Sequence, residues 1–236
     1  MKKSSAAKLT GKPRARKGVG LTYPAIAPIR DAQSLAHGVE ILRARDPVIV
    51  DKMLALTGQP PLRLREPDLR GLLWIVMGQQ VSVASANAIF GRFCAVYPQC
   101  DAARLAGASD AELRACGLSA PKLKTVRAIA RAIVDGALEI HALAAMNIRQ
   151  AHAALVAIHG IGPWTADLFL LSCLGHPDAW PAGDLALQEA ARQVLNLRAR
   201  PDAKTLEKIG ERWRPARAVA ARLLWAWYGA VKKVPT

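Results

Sequence analysis

Cysteine is scarce in this chain of 236 residues, and its four cysteines, Cys94, Cys100, Cys116 and Cys173, stand far apart with no C-x-x-C pair. That spacing excludes a disulfide framework and a compact zinc site, and it points to reduced, buried structural thiols. Long apolar runs are missing as well. The longest, near Trp164 to Leu174, contains Asp167 and falls well short of the ~20 apolar residues that a membrane-spanning helix needs. The basic N-terminus is followed by no apolar core of signal-peptide length, so the expected setting is cytoplasmic, with neither secretion nor membrane insertion. Strand-like alternation of useful length does not occur, and no internal repeat is visible.

Acid is also in short supply. Eighteen Asp and Glu face 33 Lys and Arg, which gives a net charge of +15 and a pI near 10.3, and such a balance favours a polyanionic partner. Charge alone does not separate nucleic acid from an anionic membrane surface. Residues 1 to 18 carry Lys2, Lys3, Lys8, Lys12, Arg14, Arg16 and Lys17 and no acid, so the body of the chain keeps the other eight positive charges. Residues 1 to about 30 therefore read as a mobile basic arm, either adding salt-dependent phosphate affinity or serving as a solvated tail. Tyr23, Pro24 and Pro28 suit an extended end to that arm.

What is abundant is helical periodicity, with 52% hydrophobic residues for a core. Apolar spacing predicts a helix over Ala32 to Arg45, a short one from Asp46-Pro47 through Leu56, and one capped by Asp68 running to about Gly78. Val81 to Tyr97 predicts the next, stopped by Pro98. Ser109 and Ser119 look like caps of two further helices, the second placing Lys122, Lys124 and Arg127 among Leu123, Val126, Ile129 and Ile133, one face core and the other basic. Helices over Leu185 to Leu195, Lys204 to Trp213 and Ala216 to about Val231 complete an all-α chain. The turn Gly78-Gln79-Gln80-Val81-Ser82 has two readings: its amides enter a duplex, or they satisfy a helix end.

The stretch Ile158-His159-Gly160-Ile161-Gly162-Pro163-Trp164-Thr165-Ala166 concentrates the chemistry. Two glycines around one apolar residue make a tight reversal, and Pro163 suits the first position of a helix. Free N–H groups and the positive end of the helix dipole then form an anion site, for which a DNA phosphate is the obvious occupant. Twenty positions beyond Trp164 lies Asp184. It has the look of a helix N-cap, yet it also suits a carboxylate facing a developing oxocarbenium sugar. At about 4 Å and an effective dielectric of 20 such a charge supplies about 4 kcal/mol, roughly a thousandfold in rate. Asp178 competes for that role but sits in a Pro-Asp turn, Asp167 looks like a support for the hairpin, and His152, His159 and His176 are too widely separated for a metal site.

Leu155-x-x-Ile158-x-Gly160-Ile161-Gly162-Pro163-Trp164-Thr165-Ala166, followed by Pro181-Ala182-Gly183-Asp184, resembles the helix-hairpin-helix DNA glycosylases with a Gly/Pro-rich loop and a family aspartate. Within them it is most similar to the 3-methyladenine DNA glycosylase II branch. Gly78-Gln79-Gln80-Val81-Ser82-Val83-Ala84, Gly117-Leu118-Ser119 and Trp213-Arg214-Pro215-x-Arg217 also resemble that branch and occur in the right order, so the likeness runs from about Ala32 to Val231.

The resemblance implies an all-α HhH-GPD glycosylase fold with an active-site cleft between two helical lobes, about 68–178 and 31–67 plus 179–236. It implies Asp184 as the catalytic carboxylate and Trp164, Trp225 and Leu168 around the flipped base, Leu168 standing where some relatives have tyrosine. Gln80 would be the wedge in the duplex, and Gly160, Gly162, Thr165, Ser119 and Lys122 would contact DNA. Relatives that also cut the backbone carry a lysine nucleophile at the place of Trp164, so a monofunctional hydrolase is implied. No cysteine follows Cys173, so no iron–sulfur cluster and no other cofactor is expected. The expected protein is a monomer that excises alkylated purines from duplex DNA; the alternative is a non-catalytic binder of damaged or branched DNA with no need for Asp184.

Overall fold

A computed structural model describes residues 26–232. The basic arm therefore lies outside the described residues except for its last positions. Of these, Ile29 is fully buried and its N–H donates to the Gly175 carbonyl at 2.7 Å.

Twelve α-helices are described: α1 Ala32–Arg45, α2 Pro47–Thr57, α3 Leu69–Met77, α4 Val83–Val96, α5 Ala102–Ala106, α6 Asp110–Ala115, α7 Ala120–Val134, α8 Ile148–Val156, α9 Pro163–Ser172, α10 Leu185–Val194, α11 Ala203–Gly210 and α12 Arg217–Val231. Two short 3-10 turns, Ile140–Ala145 and Glu211–Trp213, join them, and no strand occurs among the described residues. The all-helical reading holds. The sequence periodicity missed α5 and the 140–145 turn, and the helix expected through Trp213 becomes 3-10 after Gly210.

The helix starts follow local chemistry. Asp31 and Ser34 form a reciprocal capping box on α1, Asp68 accepts the Gly71 N–H at 3.0 Å to begin α3, and Ser109 pairs with Glu112 at α6. Ser119 is the exception: it occupies the N-cap position of α7 but makes no capping hydrogen bond. Its hydroxyl stays exposed.

Packing sorts the helices into two groups. Helix α3 packs on α4, α7 and α9, with α5 and α6 against α7 and α8 against α9, while α12 packs on α1, α2 and α10. One apolar core runs through both, from Leu72 and Phe93 to Phe169 and on to Val219 and Leu224. Cys100, Cys116 and Cys173 are buried in it, and burial pushes the thiols of Cys100 and Cys173 up to about 11 and about 12, which keeps them protonated and inert. Among the described residues no helix is long and apolar enough to cross a membrane.

The loop between α9 and α10 carries Asp184 and is fastened by buried charge. Arg217 is 5% exposed and donates through Nε to Asp178 Oδ1 at 2.9 Å and through Nη2 to the Asp178 carbonyl. Arg214 pairs with the other oxygen of Asp178. The competing carboxylate of the sequence is thus a structural anchor, fully engaged by two guanidinium groups. Trp213 is fully buried and donates its indole N–H to Asp46 Oδ2 at 3.0 Å, which ties the same segment to the α1–α2 junction.

Candidate active site

The hairpin between α8 and α9 differs from its sequence reading in one respect. Gly160 has φ +85°, and a Cβ there would stand 1.8 Å from Thr125 Oγ1, so only glycine fits. Gly162 has φ −87° and a Cβ built on it would meet nothing within 4 Å. The fold does not require glycine at 162; the bare backbone leaves room for something outside the chain. The N–H groups of Gly162, Trp164 and Thr165 make no hydrogen bond within the described residues. They sit at the exposed N-terminus of α9, where free donors and the helix dipole favour an anion.

Thr165 itself departs from expectation. It is 1% exposed, and its hydroxyl accepts the Gln79 side-chain N–H at 2.9 Å, so its side chain faces the interior and leaves only its backbone amide for a ligand. The same Gln79 amide reaches the Gly160 carbonyl at 3.4 Å, joining the α3–α4 turn to the hairpin. Beside it Gln80 is exposed at φ +55°, a conformation uncommon outside glycine, at the apex of that turn.

Lys122 is a second correction. It is buried, and its ammonium donates to the Met77 carbonyl at 2.9 Å, satisfying the end of α3, while burial lowers its pKa. Arg127 is likewise occupied by the Ala108 carbonyl and Asp110. Of the basic face expected on α7, Lys124 is exposed.

An open cleft of about 680 Å³ gathers much of what the sequence placed far apart: Gln80, Gly162, Trp164 and Asp184, with Val81 and Leu185 on its apolar rim. Leu185 is 62% exposed although it opens α10, a large apolar side chain in water beside the carboxylate that sequence reasoning passed over. Asp184 is the helix N-cap that its sequence suggested, and it also lines the cleft. Its Oδ1 caps α10 by accepting the Leu187 N–H at 2.9 Å, and the carboxylate also takes two indole N–H groups: Trp164 Nε1 to Oδ2 at 2.9 Å and Trp225 Nε1 to Oδ1 at 3.1 Å. Trp164 comes from the hairpin helix and Trp225 from α12, so the carboxylate is clamped between the two groups of helices.

Trp225 also borders a smaller pocket of about 170 Å³. Leu168, Leu171 and Trp74 are part of its apolar wall, and Arg63, Arg65 and Arg222 also line it. Trp225 therefore links the carboxylate of the cleft to the wall of the pocket. Leu168 lines this small pocket, whereas Ser119 lies outside the lining of both cavities.

Residues 73–215 match the model of the HhH-GPD superfamily of base excision DNA repair proteins, more than half of the chain. The chain belongs to that superfamily. Among its relatives is a DNA-3-methyladenine glycosylase of Bacillus subtilis, 29% identical in an alignment of 174 positions that covers 67% of this chain and 57% of the relative. DNA-3-methyladenine glycosylase 1 of Schizosaccharomyces pombe is 32% identical over 65% of this chain and 69% of its own length. In structure the chain is similar to a 3-methyladenine DNA glycosylase of the same yeast in complex with abasic DNA, with a TM-score of 0.72 and 28% identity over 80% of this chain and 95% of that one. The chain spans little more than half the length of the Bacillus subtilis relative.

Proposed function

We propose that this HhH-GPD protein is a monofunctional DNA glycosylase that flips alkylated purines out of duplex DNA and hydrolyses their N-glycosidic bond. The observation that carries the reading is the clamped carboxylate of Asp184, which lines the open cleft and is held by two indole N–H groups, one of them from Trp225 in the wall of the small apolar pocket.

In this reading the free amides of Gly162, Trp164 and Thr165 hold a backbone phosphate, and Gln80 fills the gap left in the stack. The base enters the pocket beside Trp225 and Leu168, where stacking contributes roughly 1–3 kcal/mol. The sugar then lies against Asp184. As the C1′–N bond lengthens, the carboxylate offsets the positive charge growing on the sugar, and water adds its hydroxyl to C1′. The hairpin position that would carry a Schiff-base lysine is Trp164. A lyase step therefore has no amine there, and borohydride is expected to trap no DNA adduct. The relatives named for 3-methyladenine supply the substrate class. The lobes are taken as 68–178 and 31–67 plus 179–236, acting as one monomer.

The test is release of free 3-methyladenine and 7-methylguanine from methylated duplex DNA by the wild type and by Asp184→Asn. Release by the wild type and a large loss in the variant is the expected result. Equal release by both removes Asp184 from the chemistry, and tight DNA binding with no release by either favours a non-catalytic binder.

A further inference from the structure

The pocket bordered by Trp225 holds something that base excision alone does not require: Arg63, Arg65 and Arg222 line it with no acid, and of the three Arg63 is exposed while Arg65 and Arg222 are partly or wholly buried. Arg222, on α12, is 3% exposed, and its Nε, Nη1 and Nη2 donate to the carbonyls of Leu62, Ala218 and Leu171 at 3.2, 3.1 and 3.0 Å. Three of its five N–H groups are thereby used. Burial lowers its pKa to about 10, which leaves it protonated at neutral pH. Arg65 is half-buried, lies with Cζ 3.0 Å from the centroid of the Trp74 ring, and is lowered by burial as well. Neither guanidinium has a carboxylate partner among the described residues. Buried charge without a counterion is costly, and here it lines a cavity of about 170 Å³.

We propose that Arg65 and Arg222 shift the balance of this pocket, among the alkylated purines it excises, toward lesion bases that are neutral before cleavage relative to those that carry a fixed positive charge. The inference rests on the glycosylase reading and narrows its substrate class.

Two physical effects point the same way. In the bound state a cationic base meets like charge, and the Trp74 face that would attract it already carries the Arg65 guanidinium. In the reaction the C1′–N9 bond breaks with its electron pair going to the base. A cationic base such as 7-methylguanine becomes neutral and leaves without help. A neutral base such as ethenoadenine becomes an anion, which a nearby guanidinium stabilises until it takes a proton from the attacking water, whose hydroxyl stays on C1′. The arginines thus lower one barrier and leave the other unaided.

The experiment compares single-turnover excision of ethenoadenine and 7-methylguanine from duplexes otherwise identical, by the wild type, Arg65→Gln and Arg65→Lys. Arg65 makes no side-chain hydrogen bond among the described residues, so its replacement preserves the fold, and thermal melting checks this. The expected result is an ethenoadenine-to-7-methylguanine rate ratio about tenfold lower in Arg65→Gln, equivalent to ~1.4 kcal/mol on one barrier only, with Arg65→Lys within about twofold of wild type. Arg222→Gln is the second variant, with a shift in the same direction. Equal loss on both lesions makes Arg65 a phosphate contact and overturns the proposal, as does an unmoved ratio with both bases released. If the wild type releases neither base, the glycosylase reading falls and this inference with it.

Discussion

Replacing Trp164 by phenylalanine separates two jobs that one indole performs. Phenylalanine keeps an aromatic ring at the edge of the cleft but removes the N–H that reaches Asp184 Oδ2 at 2.9 Å. A hydrogen bond to a charged group contributes about 1.5–3 kcal/mol net. The Leu187 N–H still caps the same carboxylate through Oδ1, so Asp184 stays at the start of α10 and only its orientation is released. If that energy is expressed in the barrier, the single-turnover excision rate falls about ten- to hundredfold. Affinity for an abasic duplex is expected to stay within about twofold of wild type, because the hairpin amides are unaltered. Trp164→Leu, which loses ring and donor together, should add a loss in lesion affinity of roughly 1–3 kcal/mol from stacking. The assays are rapid-quench excision under excess enzyme and fluorescence anisotropy of labelled duplexes, with melting curves to check folding. A Trp164→Phe enzyme that is fully folded and cleaves at the wild-type rate would show that the indole N–H does not orient the carboxylate. A defect confined to DNA affinity would refute the division of roles equally well.

Three other outcomes follow from the geometry. Gly162→Ala should melt within about 0.5 kcal/mol of wild type yet bind DNA more weakly, since a Cβ there meets nothing in the protein, whereas Gly160→Ala should fail to fold stably because it strikes Thr125; melting curves beside binding isotherms distinguish the two. Lys122→Met should cost about 1–3 kcal/mol of stability by leaving the Met77 carbonyl unpaired, with the salt dependence of DNA binding unchanged, while exposed Lys124→Met should leave stability alone; a reduced salt slope in Lys122→Met would contradict its buried placement. Burial, with Glu207 adding to it and Arg217 opposing, raises the Asp167 carboxyl to about 7. Its proton is held in the fold and released in the unfolded chain above about 4, so that group's contribution to stability is full at acid pH and is lost as pH rises towards 7. Asp167→Asn should therefore gain stability relative to wild type between pH 5 and 8, and denaturant titrations showing no such gain would dismiss the shift.

The hairpin, the caps and the candidate carboxylate were legible because their signals are local. Gly160 must be glycine for its own φ and its Thr125 contact, and Asp184 caps the helix that begins one residue later. Other placements hung on which face of a helix turned inward. Lys122 precedes Val126 and Ile129 by one and two turns, both fully buried, so its periodicity already put it on the core face of α7. Charge suggested DNA, and the helical repeat was the better guide. Thr165 similarly shares a face with the buried Phe169. Five-residue α5 is too short for periodicity to register, and Asp101 as its cap was the available signal. The pairing of Asp178 with Arg214 and Arg217 crosses more than thirty residues, and the lining of one pocket by Arg65 and Arg222 joins positions 157 residues apart (222 − 65). No linear pattern encodes either.

Gln79 deserves its place in the motif for a reason of measurement. Its amide bridges the turn that lifts Gln80 and the hairpin that offers its amides, two loops separated by 81 residues to Gly160 and 86 to Thr165. Fastened in this way, the two loops form a gauge of fixed span, set before any duplex arrives. On the glycosylase reading, a double helix whose strands and stack match that span when one nucleotide is everted would seat, and an intact one would have to be deformed to do so. Selection for weakened base pairs would on that reading begin outside the pocket, in the mechanical compliance of the DNA itself.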